Sequence, residues 1–156
     1  MVPRRPESGA QIAEPGPRDI VVRINGQQGA DTFNVSRSGT IDAIDGWVVL
    51  NGGSESDVVN VDDAANTANK AGTLTSSTLR GLEMPAGVDY SQVEDFNLWL
   101  GTGTDGLFID STHGGTTDIY AGDGNATDTT MPASFAARSA ISIITVTERS
   151  SSLTRG

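Results

Sequence analysis

Two stretches of the chain, GQQGADTFN (Gly26–Asn34) and GGSESDVVN (Gly52–Asn60), begin on glycine and place an aspartate five residues later. Each then enters a short apolar run. A third stretch, LGTGTDGLF (Leu100–Phe108), repeats the arrangement. Aligning Asp31, Asp57 and Asp105 brings Ile24, Leu50 and Leu98 into one column, with Val22, Val48 and Phe96 two residues earlier. After the turn come Phe33, Val59 and Leu107, then Val35, Val61 and Ile109. All are apolar, although only glycine and aspartate set the alignment. Spacing by two is what a strand with one buried face requires.

The turns stand 26 and then 48 residues apart, and a fourth, AGDGNATDT from Ala121, follows after 21 more with Ala126 at the aspartate position. The longer interval reads as two coils, with AGTLTSSTLRGL (Ala71–Leu82) as the body of a plainer one. Short strands, glycine corners and no long helical period predict an all-β fold. Specifically, they predict a parallel β-solenoid (β-helix or β-roll-like) of about five coils with disordered ends. An antiparallel sandwich is the rival reading of the same short strands. Residues 1–17 read as a disordered, proline-rich lead-in, 18–125 as the repeat domain, and 126–156 as an irregular cap or tail.

A chain of 156 residues suits one domain, and a hydrophobic share of 36% with 19 glycines suits a thin structure rich in turns. A net charge of −10 repels nucleic-acid phosphates and attracts cations. The chain lacks cysteine, so thiolate metal ligands and disulfides are excluded. No stretch approaches the ~18 apolar residues of a membrane span, and no signal-peptide pattern occupies the N-terminal residues.

The three glycine–aspartate turns resemble the calcium-binding repeats of the RTX (haemolysin-type) family, G-G-x-G-x-D-x-U-x with U a large apolar residue. Gln27 replaces the second glycine of the first turn, Glu55 the third glycine of the second, and Leu100 the first glycine of the third. AGDGNATDT is the poorest match. The family's nonapeptides run in tandem, whereas these turns are more than twenty residues apart.

The resemblance implies a right-handed coil and bound Ca2+. It also implies a non-catalytic structural or adhesive segment of a large secreted or surface-exposed protein. Its expected partners are calcium ions, cell-surface or matrix glycans and further repeats of the same protein, with neither nucleic acid nor membrane insertion.

Stacked Asp31 and Asp57 would repel, and a hard cation between them would reverse the sign. The expected ligands are Asp31, Asp57 and Asp105, carbonyls at Gly26, Gly29, Gly52, Gly101 and Gly103, and Asp123 and Asn125 in the fourth turn. The alternative is that glycine, asparagine and aspartate merely form corners.

Other motifs point elsewhere only weakly. GTGTDG (Gly101–Gly106) satisfies G-x-G-x-x-G, but the strand-like LFID follows instead of a helix, so it is no dinucleotide fingerprint. The single histidine, His113, lies near Asp110 and Ser111 without a nucleophile elbow. Asp42/Asp45, Asp62/Asp63 and Glu94/Asp95, with Trp47 and Trp99 as sugar platforms, keep open a polysaccharide-acting lyase or glycosidase.

Overall fold

A computed structural model describes residues 20–122 and the backbone of 129–130 and 141–144. The lead-in 1–17, most of 126–156, and Asp123 and Asn125 lie outside the described residues.

The chain is all-β. Its strands are β1 (Val21–Gln28), β2 (Thr32–Val35), β3 (Trp47–Ser54), β4 (Val58–Asp62), β5 (Ala71–Leu74) and β6 (Thr78–Gly81), followed by β7 (Met84–Ser91), β8 (Asp95–Trp99), β9 (Gly106–Ile109), β10 (Thr116–Tyr120), β11 (Thr129–Thr130) and β12 (Ile141–Ile144). One sheet has the order β1-β3-β7-β6-β5-β9-β11 and is mixed; the other, β12-β10-β8-β4-β2, is wholly parallel.

The expected solenoid of about five coils is not what these strands form. They make two sheets, and the reason lies in residues 63–83. Ala71–Leu82, expected as a plain parallel coil, instead folds back: β5 pairs antiparallel with β6, and β6 antiparallel with β7. The all-antiparallel sandwich fails as well, because β2, β4, β8, β10 and β12 run parallel throughout.

Pairing confirms part of the column pattern and corrects the rest. Ile24 lies opposite Leu50, and Phe33 and Val35 opposite Val59 and Val61. The next neighbour of Leu50 is Tyr90, however, while Leu98 pairs with Val61 in the other sheet. The units that stack are therefore three strand–turn–strand tiers, β1–β2, β3–β4 and β7–β8.

The core lies between the sheets. Leu50, Leu79 and Val88 from one meet Val59, Phe96, Leu98 and Ile119 from the other, all fully or almost fully buried. Each large side chain so buried contributes roughly 1.5–3 kcal/mol. Tyr90 and Phe96 stack across the gap with ring centroids 4.5 Å apart. Strict alternation in β4 and β8 turns Asn60 and Asn97 outward between these apolar residues. At the first tier the core is open: Val22 and Ile24 of the edge strand β1 are over two-fifths exposed. They line a cleft of about 540 Å³ together with Phe33, Val35 and Leu50.

Candidate functional site: the acidic turns and the outer face

Successive tiers are joined at their corners by a recurring clamp that holds one residue by both its N–H and its carbonyl. The Asp31 N–H donates to Asp57 Oδ1 at 2.8 Å, while the Asp31 carbonyl accepts the N–H of Val58, also at 2.8 Å. One tier later, Asp57 N–H donates to Glu94 Oε2 at 2.8 Å, and the Asp57 carbonyl accepts from Glu94 and Asp95. The geometry recurs at Lys70, whose N–H donates to Asp105 Oδ1 at 2.8 Å and whose carbonyl accepts from Gly106. In all three, the carboxylate serves the backbone of an earlier corner. Hydrogen bonds to a charged acceptor contribute about 1.5–3 kcal/mol, and an unpaired buried N–H costs about as much.

Glycine is needed because the corner leaves no room. A Cβ on Gly52 would collide with the Gln92 carbonyl and with the Asp57 carboxylate of its own turn. A Cβ on Gly26 would meet the equivalent pair, the Gly52 carbonyl and Asp31. Asp31 Oδ2 and Asp57 Oδ2 are tucked here, buried and without a hydrogen-bond partner.

The structure brings Asp31 and Asp57 together with Gly26 and Gly52, and Gly29 lies in the first of these turns at a φ of 109°. It does not bring Asp105 to them. Gly101 and Gly103 pack instead against the Asn66 and Ala68 carbonyls, beside a different corner. The third acidic place is taken by Glu94, in SQVED (Ser91–Asp95), which the sequence offered only as one of the Glu94/Asp95 pair because no glycine marks it as a corner acid. Among the described residues, no group of three or more histidine or acidic side chains is placed to hold a metal ion.

The adjacent acids separate on folding. Asp62 points outward, whereas Asp63 is 1% exposed and pairs with Lys70 at 3.2 Å. Lys70 also meets Asp42, and its side chain is itself 1% exposed. Burial pushes the Asp63 carboxyl above its ordinary range, against the lowering effect of hydrogen bonds from Ile41 and Asn66. Burial likewise pushes the Lys70 ammonium below its ordinary value, opposed by Glu83 and Asp105. Asp42 and Asp45 are exposed loop residues. His113 is held by the Glu94 carbonyl and Thr117, with its ring edge-on to Tyr90. Burial raises the Tyr90 hydroxyl, which donates to the Thr75 carbonyl at 2.6 Å.

The outward side of the parallel sheet carries a second set of chemistry-bearing residues. Asn60 Nδ2 donates to Asn34 Oδ1 at 3.0 Å and Asn97 Nδ2 to Asn60 Oδ1 at 2.9 Å, forming a ladder across three strands. Beside it, Trp99 and Tyr120 stack with centroids 4.8 Å apart and planes within 3°. Trp47, by contrast, keeps its indole N–H buried without a partner.

Comparison with protein-family models, with curated proteins and with solved structures found no match to this chain. No helix among the described residues is long and apolar enough to cross a membrane.

Proposed function

We propose that the chain is a non-catalytic structural and adhesive repeat segment of an extracellular protein, in which carboxylate-to-backbone clamps join the tiers. The supporting observation is the clamp itself, repeated at Asp31/Asp57, Asp57/Glu94 and Lys70/Asp105. In this reading the turn acids take over the role that the resemblance assigns to calcium. Asp57 Oδ1 and Asp105 Oδ1 each face a backbone N–H, so those oxygens are occupied by the fold. Reactive chemistry finds little purchase here, since Asp63 is ion-paired in the core and His113 is wedged against Tyr90.

Thermal unfolding in EDTA and in millimolar calcium tests the proposal. The wild type is expected to unfold at the same midpoint in both. Asp57→Ala should lose about 2–3 kcal/mol in both, the cost of stranding the Asp31 N–H. A calcium-dependent rise in the wild-type midpoint that disappears in Asp57→Ala would restore the ion and defeat this reading.

A further inference from the structure

We propose that the outer face of the parallel sheet binds a neutral saccharide through Trp99, Asn34, Asn60 and Asp62. This names the ligand for the adhesive part of the role proposed above and rests on that reading.

Strand register builds the site. Asn34, Asn60 and Asn97 are direct neighbours across β2, β4 and β8, and Asp62, Trp99 and Tyr120 are neighbours across β4, β8 and β10. The amide ladder runs one way, so its last member, the exposed Asn34, keeps an NH2 group with no protein acceptor among the described residues. Tyr120 covers one face of the Trp99 indole. The other side of the indole borders a shallow cleft of about 260 Å³, lined by Asn34, Asn60, Asp62 and Trp99. Asp62 uses Oδ1 to accept the Ala64 N–H at 3.0 Å, which leaves Oδ2 for a ligand.

A pyranose ring offers an apolar C–H face and a rim of hydroxyls. The indole accepts the first; the Asn34 amide and the Asp62 carboxylate supply a donor and an acceptor to the second. The cleft lies just below the roughly 300 Å³ at which sites for drug-sized ligands begin, which suits a single sugar ring. Charge selects among saccharides. β2, β4, β8 and β10 carry Asp62, Asp95 and Asp118 but no lysine or arginine, so uronic acids and sulfated sugars are repelled. Stacking and the amide ladder also fix these side chains beforehand, which lowers the entropic cost of binding.

The test uses the full chain with Trp47→Phe, leaving Trp99 as the only indole reporter. Fluorescence and calorimetric titrations employ cellohexaose, mannohexaose and xylohexaose, with polygalacturonate as the anionic control. Saturable binding of at least one neutral oligosaccharide and none of polygalacturonate is expected. Trp99→Ala and Asn34→Ala should each weaken it about tenfold or more while the chain still unfolds in a single cooperative transition.

No saturable binding of any neutral probe, equal binding of polygalacturonate, or unchanged affinity in both variants would overturn the site. Those outcomes leave the clamp proposal standing, because it is read independently from unfolding in EDTA and in Asp57→Ala.

Discussion

Gln27 and Glu55 adopt φ angles of 76° and 82°, a region that costs an L-residue about 1–2 kcal/mol. Each shares its turn with a glycine in the same region, Gly29 at 109° and Gly53 at 114°. The second and fourth residues of both nonapeptides thus turn left-handed, and each turn has a glycine at only one of the two. Glu55→Gly should therefore stabilise the protein by ~0.5 kcal/mol, strain relief being partly offset by the greater freedom of glycine when unfolded. Equal or lower stability in urea unfolding would refute the strain. Lys70 presents the opposite case, a cation whose removal strands a buried acid. Lys70→Met should cost about 3–5 kcal/mol at neutral pH because Asp63 loses its counter-ion. The sign of the pH dependence follows from Asp63, whose folded-state pKa burial raises. Protonation then favours the folded variant, so stability is regained as pH falls through that raised value and lost as pH rises through it. Denaturant melts of Lys70→Met between neutral and mildly acidic pH check this; a deficit that grows on acidification would contradict it.

Among the strands, β6 links the two parallel portions of the mixed sheet, bridging β5 and β7 in antiparallel sense. Leu79 at its centre is fully buried, and Leu79→Ala should cost about 2–5 kcal/mol in urea unfolding. A loss below 1 kcal/mol would mean that β6 is only loosely packed. This hairpin is also where sequence reading failed. The apolar alternation of the first two tiers is plain because Gly26/Asp31 and Gly52/Asp57 mark both turns identically, and Ile24–Leu50 and Phe33–Val59 pair as the columns require. The third corner carries Gln92 and Glu94 where glycine and aspartate stood before, and the longer Glu94 side chain makes the same clamp without the same spelling. Meanwhile LGTGTDGLF has the expected letters, but its Asp105 serves Lys70. On the outer face, the aligned nonapeptides already set Asn34 opposite Asn60, and Trp99 stood alone; Asn97 joins the ladder only through the register of β8, which follows the hairpin.

Across the whole molecule, the clamps share one sense: the acid always comes from the later segment and the N–H from the earlier. Among the described residues, Asp31 therefore has no earlier N–H to hold, and its Oδ2 is buried unpaired. Asp31→Ala should change stability by no more than ~0.5 kcal/mol, whereas Glu94→Ala should cost about 1–3 kcal/mol by freeing the Asp57 N–H. Comparable losses in the two variants, measured by calorimetry, would show that the direction has no energetic meaning. That polarity makes the assembly behave like overlapping roof tiles, each course fastened by the one laid after it. Stripping the first course costs the next one backbone and apolar contacts but no carboxylate fastening, while removing any later course also unpins the side-chain clamp on its predecessor.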